Sequence, residues 1–311
     1  MSTYVKLKEN IEKVIIGKSD VIDLVLTAMI AGGHVLLEDM PGSGKTMLAK
    51  ALARSVDLEF SRVQMTPDLL PTDITGLNVY HAKSGGFEFY KGPVFTNVLL
   101  ADEINRATPR AQASLLECME EKQVTIDGVT RVLEKPFMVI ATQNPLETAG
   151  TYPLPEAQLD RFMMKLSMGM IDAEQEKEIL ERYRMKNPLE QLESVVTKEE
   201  ILAMQKSYQK VYIHPELTDY LQKICMATRK RKEIRVGVSV RGTLTLMKAS
   251  QAYAKLKGRN YVVPEDIQTL VVPVLAHRLI MEGSYYLQNA ATAQLEMIVK
   301  EIPVPTEEWG K

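Results

Sequence analysis

Short apolar runs alternate with stretches of helical periodicity through the first half of the chain. Five of these runs are predicted as strands, at residues 34–38, 58–65, 97–103, 137–144 and 161–168. The segment 46–55, which follows the first run, is predicted as a helix. Such alternation is typical of a parallel sheet covered by helices. We therefore predict an α/β fold with a parallel five-stranded sheet and helices on both faces.

Two segments interrupt this alternation and are predicted as β-hairpins, at about residues 76–95 and 122–133. The first turns around Ser84-Gly85-Gly86 and the second around Asp127-Gly128. Glycine adopts the positive φ angles that tight hairpin turns require. We therefore expect two hairpin inserts within the α/β part of the chain.

Beyond about residue 170 the pattern changes to helices alone. The segment 173–185 is amphipathic, and Thr197 with Glu200 forms the sequence signature of a capping box. Pro215 and Pro264 are placed to open two further helices. These features predict two domains, an α/β domain over residues 1–169 and a smaller all-helical domain over residues 170–311, with a frayed tail.

Composition narrows the class of protein. Of the 311 residues 45% are hydrophobic and 25% are charged, and the net charge is −2, which gives no general attraction to nucleic acids or acidic membranes. No apolar run approaches the roughly 20 residues that cross a bilayer, and no signal peptide is evident. Two cysteines and four scattered histidines offer neither a disulfide framework nor a metal-binding pattern. We expect a soluble, cytoplasmic protein.

The stretch LEDMPGSGKTMLAKAL (37–52) carries the main candidate chemistry. Phosphate-binding loops follow the pattern Gly, four residues, Gly-Lys-Ser/Thr, and here Asp39 replaces the first glycine. A strand before the loop and a helix after it direct backbone N–H groups at anionic oxygens. Lys45 would reach the β- and γ-phosphates and Thr46 would bind Mg²⁺. We expect the Asp39 side chain to point away from the phosphates.

Polar residues at the ends of two later strands fit the same chemistry. Asp102 and Glu103 end the apolar run VLLADE, where one carboxylate can hold the magnesium shell and the next can orient the attacking water. Asn144 ends the run VIATQN, where it could position that water. Alternatively, Asn144 only forms a turn before Pro145.

Five longer stretches resemble the MoxR family of AAA+ ATPases, in the helix-2-insert branch. They are LLEDMPGSGKTMLAKALA, QMTPDLLPTDITG, GPVFTNVLLADEINRATPRAQASLLECMEE, VIATQNPLETAGTYPLPEAQLDRF and GVSVRGTLTLMKAS. They occur in the family's order over nearly the whole chain. The resemblance implies a P-loop AAA+ core followed by a helical lid domain. The family also tolerates a residue other than glycine at the first position of the loop, where this chain has Asp39.

The resemblance also implies a role for each candidate residue. Nucleotide-binding residues would be Ile16 and Gly17 beside the adenine, and Pro41, Gly42, Ser43, Gly44, Lys45, Thr46, Met47, Asp102 and Arg241 around the phosphates. Mg²⁺ would be held by Thr46, and by Asp102 through water. Catalytic residues would be Glu103, Asn144 as first sensor, Arg161 as an arginine finger, Arg241 as second sensor and Gln64 as a restraint on Glu103. Alternatively, Arg161 pairs with Asp160 on the surface, and Arg241 lies on a solvated helix start.

The function implied is a Mg²⁺-dependent ATPase that binds ATP and ADP and assembles into a homo-oligomeric ring, a hexamer. It would remodel client proteins with a von Willebrand factor A-domain protein as partner, its hairpins either acting on the client or only covering a sheet edge. A DNA-acting motor, a metal-chelatase motor subunit and a monomeric kinase are the alternatives. The basic run TRKRKEIR (228–235) lacks the interleaved aromatic residues that stack on bases, so we interpret it as a solvated loop.

Overall fold

The structure is a computed structural model of the 311-residue chain and describes residues 2–83, 85–145, 150–184, 186–283 and 289–305. Its helices are α1 (Thr3–Glu12), α2 (Ser19–Ala31), α3 (Lys45–Ser55), α4 (Pro71–Thr75), α5 (Pro109–Glu121), α6 (Glu156–Leu159), α7 (Ala173–Tyr183), α8 (Lys198–Ser207), α9 (Pro215–Thr228), α10 (Val240–Leu256), α11 (Pro264–Leu275) and α12 (Ala290–Glu301). Its strands are β1 (Val35–Glu38), β2 (Phe60–Gln64), β3 (Gly76–His81), β4 (Gly86–Lys91), β5 (Val98–Asp102), β6 (Gln123–Ile126), β7 (Val129–Val132), β8 (Met138–Gln143), β9 (Met164–Leu166), β10 (Ile234–Val236) and β11 (Ile280–Met281).

The central sheet contains the five predicted strands in the order β2-β5-β8-β1-β9, and every neighbouring pair is parallel. The interiors of β1, β5 and β8 are fully buried because helices cover both faces, as expected for a parallel sheet. The predicted α/β fold is therefore confirmed. Since parallel strands end at the same edge, the polar residues that follow β1, β5 and β8 meet there.

Successive residues of the strands belong to two different cores. Val35 and Leu37 pack with α2 and α3 in a core that continues into α9, α10 and α11. Leu36 packs on the opposite face with α5. This alternation follows from the two-residue period of a strand. One face of the sheet is thus joined to the helical part of the chain, and the other lies toward the hairpins.

The two predicted hairpins are confirmed as the antiparallel pairs β3–β4 and β6–β7. They also contact each other: Asn78 Nδ2 donates to Asp127 Oδ2 over 2.6 Å, and the Arg131 guanidinium carbon lies 3.9 Å from the centre of the Phe89 ring. Such a stacked cation stabilises the contact further. The two hairpins therefore form one connected unit. Ser84, at the first predicted turn, lies outside the described residues.

The chain beyond residue 170 is helical except for the short antiparallel pair β10–β11. The expectation of helices alone was wrong here, because strands of three and two residues are too short to show a period in the sequence. The capping box of Thr197 and Glu200 opens α8, as predicted. None of the described helices is long and apolar enough to cross a membrane. Met185 and the last six residues, 306–311, of the predicted tail at 302–311 lie outside the described residues. The division at residues 169 and 170 stays a prediction.

His34 is a buried histidine between the sheet and α5. The backbone N–H of Val139 donates to its Nδ1 over 2.9 Å, so Nε2 carries the proton that Met119 O accepts over 3.0 Å. Burial lowers the pKa of His34 to about 4. Protonation of Nδ1 would break the bond to Val139 and charge a buried ring. The native state therefore requires neutral His34.

We expect this histidine to make stability depend on pH. The unfolded pKa is about 6.5, so between that value and the folded pKa of about 4 the unfolded state binds more protons. The neutral ring contributes about 3 kcal/mol to the free energy of unfolding. This contribution is present above the unfolded pKa and is lost as pH falls toward the folded pKa. Urea unfolding over this range should show it, and His34→Gln should flatten the dependence. Equal pH slopes for the two proteins would contradict the assignment.

Candidate functional site

A cavity of about 330 Å³ opens at the carboxyl edge of the sheet, between the β1–α3 loop and the ends of β5 and β8. Its lining residues are Pro41, Gly42, Ser43, Gly44, Lys45, Thr46, Met47, Asp102, Glu103, Thr142, Gln143 and Asn144. The structure thus brings together the predicted phosphate loop, both predicted carboxylates and the predicted amide. Thr142 and Gln143 were not predicted.

The loop before α3 has the backbone of an anion site. Gly42 and Gly44 have φ angles of 84° and 90°, which favour glycine. Gly44 is the N-cap of α3, and no side chain of the described residues caps that end. The first N–H groups of the helix are consequently available to a ligand, and the helix dipole favours an anionic one.

Among the described residues, two polar side chains in the loop make no hydrogen bond to another side chain. Lys45 Nζ donates to the carbonyls of Asp39 and Met40 over 2.7 and 3.1 Å, and burial lowers its pKa against the opposing charges of Asp39, Asp102 and Glu103. Ser43 Oγ is buried without a hydrogen-bond partner among the described residues. An orphaned hydroxyl beside a lysine held only by carbonyls fits a site that accepts phosphate oxygens.

Asp39 occupies the position where the usual phosphate-loop pattern has its first glycine. Its carboxylate accepts hydrogen bonds from Ser167 Oγ, over 2.8 Å, and from the backbone N–H of Met168. The side chain therefore points away from the loop interior, as predicted. It fastens the start of the loop to the segment that follows β9 and leads into the helical part.

Replacing Asp39 with alanine should lower the free energy of unfolding by about 1–3 kcal/mol, because a charged acceptor of two hydrogen bonds is removed. Urea unfolding would measure this loss. Glu59→Ala, at an exposed glutamate just before β2, is the matched control and should change stability little. Equal losses for the two variants would contradict the fastening role.

Both carboxylate oxygens of Asp102 have a partner. Its Oδ1 accepts from Thr142 Oγ1 over 2.6 Å, and its Oδ2 pairs with Arg62 over 2.6 Å. The carboxylate and the Thr46 hydroxyl line the same cavity. One carboxylate and one hydroxyl, completed by waters and phosphate oxygens, suit the way Mg²⁺ is bound. The described residues contain no larger cluster of metal-binding side chains.

Glu103 is restrained by its neighbours. Its backbone has a φ of 59°, and its N–H donates to Thr142 Oγ1 over 2.8 Å. Its carboxylate accepts from Gln64 Nε2 over 2.9 Å and pairs with Arg106 over 3.1 Å. Gln64 thus contacts the glutamate that it was expected to restrain. Arg106 was missed, although its spacing of three residues from Glu103 could have indicated the pair.

Arg161 and Arg241 lie outside the residues that line the cavity and share one carboxylate. Arg161 Nη1 lies 2.6 Å from Glu120 Oε2, and Arg241 Nη1 lies 3.2 Å from Glu120 Oε1. Arg161 therefore pairs with Glu120 rather than with Asp160, which instead faces Arg278 and Arg241. Glu120 on α5 was not predicted as a site residue.

Ile16 and Gly17 also lie outside the cavity lining. They occupy the connection between α1 and α2, where Gly17 has a φ of 69°. A Cβ on Gly17 would lie 2.4 Å from Gln175 Cδ, so this connection packs directly on α7. An adenine role for these two residues stays a prediction.

Comparisons with known proteins agree with this geometry. A family model described as "ATPase family associated with various cellular activities (AAA)" matches residues 34–164, and one described as "AAA lid domain" matches residues 226–301. The chain is 48% identical to the uncharacterized protein YeaC of Bacillus subtilis, covering 96% of this chain and 92% of that protein. It is 40% identical to the chaperone MoxR1 of Mycobacterium tuberculosis, covering 87% and 74%.

Two further comparisons extend over nearly the whole chain. The chain is 31% identical to the protein MoxR of Paracoccus denitrificans, covering 94% of this chain and 93% of that protein. A crystal structure of a protein from Cytophaga hutchinsonii superposes with a TM-score of 0.89 at 40% identity, covering 97% and 96%. The chain belongs to the MoxR family of AAA+ ATPases.

Proposed function

We propose that the chain is a Mg²⁺-dependent ATPase whose catalytic site is completed by a neighbouring copy of the same chain. One observation carries this proposal: the loop and the carboxylates share one cavity, whereas Arg161 and Arg241 meet on Glu120 outside its lining. A cation that stabilises the transferring phosphoryl group must reach it. A second copy can supply these arginines.

In the proposed reaction, the predicted site residues have separate tasks. Lys45 and the N–H groups of the loop bind the phosphates of ATP. Mg²⁺, held by Thr46 and through water by Asp102, would neutralise charge on the β- and γ-phosphates. Glu103 orients the attacking water with Asn144, and Gln64 fixes the position of the Glu103 carboxylate. ADP and phosphate are the products.

The proposed arginine finger acts between subunits. The γ-phosphoryl group spreads negative charge over its oxygens in the transition state, and a guanidinium can pair with two of them. In the isolated chain Glu120 holds both arginines, so assembly would exchange this carboxylate for the phosphate of the adjacent copy. We propose that Arg241 acts from the same side as Arg161.

Contacts of this head-to-tail kind close into a ring when the rotation between copies permits, and we propose a hexamer. The chaperone name of the mycobacterial relative supports a role in remodelling client proteins. The connected hairpins are the proposed moving part, and a von Willebrand factor A-domain protein is the proposed partner. The net charge of −2 gives the chain no general attraction to DNA, which does not favour a DNA-acting motor.

ATP turnover measured against protein concentration, with particle size measured in parallel, tests the proposal. Activity per chain should rise as the chain assembles, because an isolated copy lacks the arginines of its neighbour. Lys45→Ala should remove nucleotide binding and therefore activity at every concentration. Activity per chain that stays constant from monomer to assembly would contradict the shared site.

A further inference from the structure

Helix α7 is an amphipathic helix with an apolar side that the described residues leave exposed. None of its 11 residues is buried. Its contacts with the rest of the structure include Gln175, which packs on Gly17, and Arg182, which donates to the carbonyls of Glu12 and Lys13. On the outer side Leu180 is 67% exposed. A single exposed leucine is ordinary, but further apolar side chains before α7 and at its end are exposed as well.

The other exposed apolar residues lie in the segment that leads into α7 and at the end of the helix. Met170, directly before α7, is 92% exposed, and Ile171 and Tyr183 are also exposed. Lys18 Nζ donates to the Met170 carbonyl over 2.7 Å, and Asp39 in the phosphate loop holds Met168 two residues earlier. We name the group of Met170, Ile171, Leu180 and Tyr183 the rim patch. The hydrogen bond from Met168 to Asp39 fastens the start of this segment to the phosphate loop.

A second uncovered surface flanks Arg241. Val240 and Leu244 on α10 are 67% and 47% exposed, and Leu244 lies about one helical turn from Arg241. The basic segment 228–235 packs on the start of the same helix, since Arg229 Nε donates to the Val238 carbonyl over 2.8 Å. Lys230 and other basic residues of this segment are exposed. We name this surface, including Lys230, Lys232 and Arg235, the arginine-side patch.

The two patches are complementary in charge as well as in apolar character. Helix α7 contains four glutamates against one lysine and one arginine. The segment 228–235 contains five basic residues against the single Glu233. Opposite charges on two surfaces favour their association and fix its orientation.

We infer that the rim patch of one copy docks on the arginine-side patch of the next copy. This inference rests on the proposed function, because an arginine that reaches the neighbour's phosphates brings its flanking surface onto the rim of that cavity. Helix α7 is about 16 Å long, longer than the reach of one side chain, so in this docking it would face the surface that flanks Arg241. The basic run thus binds a second copy of this chain rather than nucleic acid.

Charge reversal on each side tests the docking. One variant carries Glu174→Lys and Glu181→Lys on α7, and the other carries Lys230→Glu and Lys232→Glu. These positions avoid the proposed catalytic residues and two ion pairs, Glu178 with Arg182 and Arg231 with Glu301. Glu199→Lys with Glu296→Lys, at exposed positions on α8 and α12, is the matched control. Particle size is measured by light scattering with ATP at low salt, where exposed charges are least screened.

Each reversed variant alone should need a roughly tenfold higher concentration to assemble, because like charges then face each other. An equimolar mixture of the two should assemble as the wild type does, since each contact then pairs opposite charges. The control variant should assemble normally. Thermal unfolding confirms that the variants fold.

Two results would overturn the inference: reversed variants that assemble like the wild type, or a mixture that stays dissociated. Failure of the proposed function gives a different pattern. A wild-type chain that never assembles contradicts the shared site itself, and the docking with it. A chain that assembles through these patches but keeps its turnover in Arg161→Ala supports the docking and contradicts the arginine finger.

Discussion

Arg161→Ala is expected to lower ATP turnover at saturating ATP by about 10³-fold or more, the effect of removing an arginine finger from comparable enzymes. In the proposed shared site the lost guanidinium belongs to the neighbouring copy, so the phosphate loop and Glu103 of each site should remain intact. Nucleotide affinity should therefore change much less than turnover. Among the described residues of the isolated chain, the change removes the pair with Glu120 and the bond to the Leu116 carbonyl, and Arg241 still pairs with that glutamate.

Arg110→Ala is the matched control, because Arg110 is an exposed arginine near the start of the same helix that carries Glu120. Turnover, ATP affinity and particle size should be measured for both variants. A full assembly with slow turnover identifies a transition-state role for Arg161. Turnover of Arg161→Ala equal to that of Arg110→Ala would exclude this role.

Glu103→Gln is expected to lower turnover by about 10²–10³-fold while ATP remains bound, because the proposed site then lacks the carboxylate that would orient the attacking water and accept its proton. The amide has nearly the same shape, so packing in the cavity is preserved. Removing one negative charge from a cavity that also holds Asp102 should leave ATP affinity unchanged or raise it. The variant should therefore accumulate in an ATP-bound assembly.

Glu121→Gln, at an exposed glutamate that ends α5, controls for the loss of charge. Turnover is followed by phosphate release, and bound nucleotide is identified after rapid removal of free ATP. Near-normal phosphate release by Glu103→Gln would show that another group activates the water.

The positions of the side chains inside the cavity could be predicted from one rule about parallel sheets. Parallel strands end at the same edge, so apolar runs that finish in Asp102-Glu103 and in Asn144 had to deliver these side chains to the loop after the first strand. The loop could be predicted too, because its strand, its glycines and its helix follow one another directly in the sequence. Fold, cavity and loop thus follow from patterns of a few residues each.

The partners of these side chains could not be predicted in this way. Glu120 pairs with Arg161 and Arg241, which follow it by 41 and 121 positions in the sequence. No sequence pattern indicates a pair at such separations. Thr142 binds both Asp102 and the Glu103 backbone, yet in sequence it is one polar residue in a buried strand. The role of Asp39 likewise depends on Ser167 and Met168, which only the sheet order brings near. Long-range pairing of this kind needs the fold.

Mixing Arg161→Ala chains with Glu103→Gln chains tests the shared site most directly. Each variant alone has almost no turnover. In a mixed assembly, the intact cavity of an Arg161→Ala chain can receive Arg161 from a Glu103→Gln neighbour. Random equimolar mixing creates such a contact at about one interface in four, so turnover should recover to about a quarter of the wild-type value. A mixture that assembles but stays as inactive as its components would contradict a site formed between two copies.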